Sequence, residues 1–80
     1  MKLPRDVSGS KLVQALRRLD YEVVRQRGSH VLLIHRPSHA NRLVVPDHKA
    51  LKPGLLGDLL NQVASYHGLT RDELIEELKL

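Results

Sequence analysis

The chain has no cysteine and very few aromatic residues. Its 80 residues include no Cys, Trp or Phe, so Tyr21 and Tyr66 supply the whole Phe, Trp and Tyr content. Neither a disulfide nor a thiolate metal site can support a domain of a size at which one hydrophobic core is only marginally sufficient. The scarcity of rings also argues against single-strand binders that stack bases on exposed aromatics, such as RRM and OB folds.

Long hydrophobic runs are absent as well. No segment approaches the roughly 20 apolar residues that a membrane-spanning helix needs. Residues 1–6 also lack the apolar region of a signal peptide. The sequence therefore predicts a cytoplasmic protein with no membrane association.

Acidic residues are scarce in the first two thirds of the chain. Residues 1–52 contain 11 Lys and Arg against 4 Asp and Glu, a net charge of +7, whereas residues 53–80 contain 2 against 5, a net charge of −3. Such an imbalance is typical of a fold whose first part presents a polyanion-binding face. The alternative is an ordinary solvated surface, since many small domains are basic without binding nucleic acid.

The hydrophobic pattern of the first half predicts one helix followed by three strands. Apolar residues at helical spacing indicate a helix that Ser8 or Ser10 caps and that Asp20 ends. The predicted strands are Tyr21–Arg27, His30–Arg36 and Arg42–Val45. Gly28 and Ser29 fit a two-residue type II′ turn, which would place Arg27 opposite His30.

The second half predicts two further helices. Pro53 suits a helix start, a leucine stripe follows, and Gly68 is a natural left-handed end. Thr70 and Glu73 fit a capping box, so a short third helix is expected over about residues 70–78. The order α-β-β-β-α(-α) predicts one α+β two-layer domain over residues 1–80, with helices on one face of a three-stranded antiparallel sheet. This is the topology of a double-stranded-RNA-binding domain.

His30 is the candidate catalytic residue, because it follows a tight turn in a basic setting. Cleavage of RNA through its own 2′-OH requires removal of the hydroxyl proton and stabilisation of charge on the phosphate. An imidazole is the side chain best suited to proton transfer near neutral pH, and Arg25 and Arg27 can stabilise the charge. Gly28 and Ser29 lie beside them and are predicted to contact the RNA. The alternative is a histidine that merely begins a strand.

A second segment is predicted to bind the RNA backbone. His48, Lys49 and Lys52 precede the second long helix, where N–H groups and the helix dipole attract phosphate. Lys11 of the first helix is assigned to the same role. A plain solvated loop is the alternative for the segment.

Neither a metal site nor a cofactor is predicted. His35 and His39 flank Pro37, at a strand end and in a loop, so the i, i+4 geometry of helical metal ligands is not expected. No cysteine and no nearby pair of carboxylates completes a zinc set.

Three segments, Ser10–Leu16, Tyr21–Arg27 running into Gly28-Ser29-His30, and His48–Gly54 before a leucine-rich helix, resemble the HicA toxin family over roughly residues 8–65. The resemblance implies an mRNA interferase, a small endoribonuclease that cuts mRNA without a metal, with His30 at the catalytic position. It also implies a HicB-type antitoxin that holds the enzyme inactive. The chain departs from the usual pattern in its tail, because the third helix extends past the point where many relatives stop.

Two other classes of function are compatible with the sequence. A non-catalytic RNA-binding module would need only backbone contacts from Lys11, Arg17, Lys49 and Lys52, with shape readout of an A-form helix. A protein-interaction domain would use the leucine-rich tail for assembly. Cleavage that depends on His30 distinguishes the enzyme from the first, and salt-sensitive RNA affinity argues against the second.

Overall fold

A computed structural model describes residues 3–80 of the chain. The helices are α1 (Gly9–Leu16), α2 (Pro53–His67) and α3 (Arg71–Leu78), and a short 3-10 helix (Arg17–Leu19) continues α1. The strands are β1 (Tyr21–Arg27), β2 (His30–His35) and β3 (Ala40–Pro46). The predicted domain of residues 1–80 includes Met1 and Lys2, which lie outside the described residues.

The first helix is shorter than its hydrophobic pattern suggests. Ser8 is its cap, because the Ser8 Oγ accepts a hydrogen bond from the Lys11 backbone N–H at 2.9 Å. Ser10, the other candidate, lies inside the helix. After Leu16 the chain tightens into the 3-10 helix and ends at Asp20, whose φ of 65° is left-handed. The predicted end at Asp20 is therefore confirmed, although the last turn is not α-helical.

The caps of α2 and α3 are confirmed. Pro53 is the first residue of α2, and Gly68 ends that helix with a left-handed φ of 68°. The side chain of Thr70 accepts the Glu73 backbone N–H, and the side chain of Glu73 accepts the Thr70 backbone N–H, which is the reciprocal capping box.

The strands form one antiparallel sheet in the order β1-β2-β3. Arg27 pairs with His30 as predicted, and of the two turn residues only Gly28 has a positive φ, at 58°, as a type II′ turn requires. β3 begins at Ala40 and includes Pro46, so the predicted strand Arg42–Val45 was too short at both ends. Pro46 is tolerated because β3 is an edge strand, where a missing N–H costs no ladder hydrogen bond.

The helices cover one face of the sheet and leave the other open. Buried aliphatic side chains of both layers form the core: Leu12, Ala15 and Leu16 of α1, Val31, Leu33, Leu43 and Val45 of the sheet, and Leu56, Leu59, Leu60 and Val63 of α2. α3 lies against α2, and its side chains Leu74, Ile75 and Leu78 are buried in the same core. The predicted α+β class is thereby confirmed, while the finer likeness to a double-stranded-RNA-binding domain stays a prediction. None of the helices among residues 3–80 is long and apolar enough to cross a membrane.

Candidate functional site

His30 begins β2 and lies exposed on the open face of the sheet. It pairs with Arg27 on one side and with Pro46 on the other, so its position is held by both neighbouring strands. A shallow depression of about 130 Å³ surrounds it, and its walls are Arg25, Arg27, His30, Leu32 and Val44. The structure thus brings the predicted catalytic histidine and both predicted arginines into one depression.

A β-bulge explains why both arginines share the face of His30. The pairing of β1 with β2 shifts by one residue between Val23 and Arg25. Uninterrupted alternation from buried Tyr21 would direct residues 25 and 27 toward the core. After the bulge Arg25 pairs with Leu32 and Arg27 pairs with His30, and directly paired residues lie on the same face. The bulge therefore places two guanidinium groups beside the imidazole.

Backbone hydrogen bonds gather three other segments at the same end of the fold. The Asp47 N–H donates to the Ser29 carbonyl oxygen at 2.6 Å, which joins the β1–β2 turn to the segment after β3. The Gly9 N–H donates to the His48 carbonyl oxygen at 2.9 Å, which joins that segment to the start of α1. The turn, the β3–α2 segment and the first turn of α1 are therefore neighbours.

The predicted RNA-binding residues lie on these neighbouring segments. His48, Lys49 and Lys52 are exposed in the β3–α2 segment, and Lys11 is exposed in the first turn of α1. Lys52 is the residue before α2, whose first turn has no side-chain cap and no acidic residue. The first N–H groups of α2 thus face no carboxylate of that turn, which favours an anion there.

A ring cluster of Tyr21, His35, Tyr66 and His67, which the sequence analysis did not find, lies at the opposite end of the sheet. Ring centroids are 4.9 Å apart for the two histidines and 5.3 Å apart for Tyr21 and His35. His35 pairs with buried Tyr21 and therefore lies on the helix-covered face. It is five residues from His30, or roughly 16 Å along the strand. The two histidine sites are therefore separate.

Hydrogen bonds tie the ring cluster to the β2–β3 turn and to β3. The Tyr21 hydroxyl donates to Asn41 Oδ1 and lies 3.1 Å from His67 Nε2. The Tyr66 hydroxyl donates to Ser38 Oγ at 2.6 Å, and the same Ser38 oxygen is 2.7 Å from His35 Nδ1. These hydrogen bonds therefore link the end of α2 to the sheet. The sequence feature that could have indicated this cluster is the pair Tyr66-His67 at the end of an amphipathic helix.

Burial shifts the pKa values of two members of this cluster, His67 and Tyr21. Burial lowers the pKa of His67, and the neighbouring His35 lowers it further. Burial, with Tyr66 adding to it, raises the pKa of Tyr21 to about 12. Both shifts favour the neutral form of the side chain, as expected for a packed group without an opposite charge.

The free energy of unfolding is expected to fall as the solution is acidified below neutrality. The unfolded chain takes up a proton at His67 near the ordinary pKa of 6.5, whereas the folded chain does so only at lower pH. Protonation therefore favours the unfolded state below about pH 6.5. Urea unfolding at about pH 7.5 and about pH 5.5 measures this loss, and His67→Gln should reduce it. An equal loss in wild type and variant would exclude His67 as its source.

No metal-binding group is apparent in the described part of the chain. Among residues 3–80, no three or more His, Asp or Glu side chains are arranged so that they could hold a metal ion.

One comparison with known proteins identifies a family. The family model "HicA toxin of bacterial toxin-antitoxin" matches residues 9–64. The match contains the depression around His30 and the β3–α2 segment, and it ends inside α2, so α3 lies outside it. No curated protein and no solved structure matches the chain.

Proposed function

The chain belongs to the HicA toxin family of bacterial toxin–antitoxin systems, and we propose that it acts as an endoribonuclease that cuts mRNA in the cytoplasm without a metal ion. The observation that carries the proposal is the exposed imidazole of His30 with Arg25 and Arg27 on the same open face. An exposed base beside two cations is what cleavage of a phosphodiester by its own 2′-OH needs.

In the proposed reaction His30 moves the proton. The imidazole accepts the proton of the ribose 2′-OH, the 2′-oxygen forms a bond to phosphorus, and the bond from phosphorus to the 5′-oxygen breaks. The departing 5′-oxygen then takes up a proton from water and His30 returns its proton to the solvent, so the products are a cyclic 2′,3′-phosphate and a 5′-OH. Arg25 and Arg27 stabilise the extra negative charge on the phosphate in the transition state, because guanidinium groups bind phosphate oxygens in a planar, bidentate manner.

The remaining predicted residues position the RNA in this proposal. Lys49, Lys52 and Lys11 contact phosphates, and His48 lies between them and the β1–β2 turn. Nothing lies within 4 Å of the position that a Cβ of Gly28 would take, and Ser29 beside it is exposed, so the RNA can approach this turn. Contacts of this kind bind the RNA backbone without reading bases.

The open face of the sheet fits an acidic protein partner of the HicB antitoxin type. Val24 and Val44 are 50% and 49% exposed there, next to Arg25 and Arg27. Exposed aliphatic side chains beside cations suit a partner that offers apolar side chains and carboxylates. Such a partner would cover His30, and its charge would speed association in a salt-dependent way.

Purified protein is expected to cut mRNA in the presence of a chelator and to stop cutting when its antitoxin is bound. The measurement is a cleavage gel with free protein and with the co-purified complex. Tight binding of RNA without any cleavage would contradict the enzyme proposal and leave the RNA-binding module. A complex that cuts at the full rate would show that the antitoxin does not block His30.

A further inference from the structure

A second concave surface lies away from His30, between α1 and the end of α3. This groove has a volume of about 440 Å³, and its walls carry the cations Lys11, Arg17, Arg18 and Lys79 together with the amide of Gln14. Among the described residues, no Asp or Glu lines it. Four cations that line one groove repel one another, and an anion bound between them relieves that repulsion.

The end of α3 supplies one wall of the groove. Leu78 is 1% exposed and fixes the end of α3 in the core, and Lys79 follows it with a left-handed φ of 57° that ends the helix. Both residues lie outside the stretch 9–64 that matches the family model. The other wall is the exposed side of α1 and of the 3-10 helix.

The groove adjoins the proposed RNA surface, and the two share one residue. Lys11 belongs to both, since it lines the groove and lies in the first turn of α1 beside the β3–α2 segment. Arg18 is seven residues further along the chain, or roughly 10 Å along a helix axis. A chain of phosphates that leaves the His30 end past Lys11 would therefore reach Arg17 and Arg18 next.

The side chains of the groove favour nucleic acid over protein. Protein interfaces depend on large apolar or aromatic anchors at their centre. Here Ala15 and Leu78 are buried and Leu80 is partly buried against the core, so the exposed side chains of the groove are cationic or amide groups. The open sheet face has the opposite character, because Val24 and Val44 are exposed on it.

We infer that this groove binds a second stretch of RNA backbone, remote from the bond that is cut. The inference rests on the proposed function, because it takes RNA as the substrate. Lys and Arg bind the phosphates, and the side-chain N–H of Gln14 can donate to a ribose 2′-oxygen. The groove therefore extends the RNA footprint beyond the depression around His30.

The test measures binding of an RNA that the protein cannot cut. A 2′-O-methyl oligonucleotide has no free 2′-OH, so filter binding at several salt concentrations reports affinity alone. The triple variant Arg17→Gln, Arg18→Gln and Lys79→Gln should weaken binding about tenfold or more and lower the salt slope by about 2, because each single-strand phosphate contact contributes about 0.7. Its cleavage rate on natural RNA at saturation should equal that of the wild type.

Controls show whether weaker binding comes from the groove itself, from a general loss of positive charge or from misfolding. Arg36→Gln removes an exposed cation that pairs with Glu22 and does not line the groove, so it should leave the salt slope unchanged. Thermal unfolding must show that the triple variant is folded, and single variants replace it if it is not. Lys49→Glu with Lys52→Glu should also weaken binding, which tests the surface near His30 separately.

The outcomes distinguish this inference from the proposed function. Unchanged affinity and salt slope in the folded triple variant would overturn the inference, even if the wild type cuts RNA. Loss of antitoxin binding with unchanged RNA affinity would also overturn it and make the groove a protein surface. A wild type that cuts no RNA would contradict the proposed enzyme, while the binding measurement would still decide the role of the groove.

Discussion

His30→Ala is expected to fold and to bind RNA but to cut it about 10²–10⁴-fold more slowly than the wild type, the range that general acid–base catalysis supplies. The side chain is exposed at the start of β2, so its removal takes nothing from the hydrophobic core. The phosphate contacts proposed for Arg25, Arg27 and the lysines remain. Binding and cleavage should therefore separate in this variant.

The measurement combines a cleavage gel with filter binding of uncut RNA. His48→Ala is the matched control, because His48 is also exposed and lies at the same end of the fold. Its loss should weaken RNA binding modestly and leave the rate at saturating RNA unchanged. Cells that express His30→Ala without the antitoxin should also escape the growth arrest that the wild type is expected to cause. Wild-type cleavage by purified His30→Ala would remove this residue from the mechanism.

Gly9→Ala is expected to destabilise the fold by about 3 kcal/mol, the upper end of the usual cost of overpacking. A Cβ at this position would overlap the carbonyl oxygen of Pro46 and would lie 3.0 Å from the Cα of Asp47. Both are backbone atoms, which cannot move aside as a flexible side chain can. The Gly9 N–H also bonds the His48 carbonyl oxygen, so the displaced helix would lose that link as well.

Gly54→Ala provides the matched control for this substitution. Gly54 also lies in the first turn of a helix, but nothing is within 4 Å of the position of its Cβ. Alanine is the better helix former, so stability should stay equal or rise by up to about 1 kcal/mol. Urea unfolding compares the three proteins. If both variants lose stability equally, the close approach to Pro46 is not the cause.

Local signals in the sequence determined where most elements begin and end. Ser8, Pro53, Gly68 and the capping box of Thr70 and Glu73 act on backbone groups within a few residues. The Gly28-Ser29 turn likewise specified the pairing of Arg27 with His30, because a two-residue loop leaves only one register. Interactions of such short range do not depend on the rest of the fold, so the sequence was sufficient for them.

The position of the arginines beside His30 was decided only by the tertiary structure. Strict alternation along Tyr21–Arg27 would turn Arg25 and Arg27 toward the core, and the bulge after Val23 reverses this. Burying two charged groups without partners is far more costly than one irregularity in an edge strand. The bulge therefore keeps both arginines out of the core, although strict alternation along the strand would bury them. The sequence of the strand alone does not show where the bulge lies.

The ring cluster and the cationic groove were also decided by the tertiary structure. Tyr21 and His67 are 46 positions apart in the chain, and Lys11 and Lys79 come from its opposite ends. Residue type and spacing determined which helices and strands form, because those depend on neighbours in sequence. Which distant side chains meet depends on how the buried leucines pack α1, α2 and α3 together, and that packing is a property of the whole core.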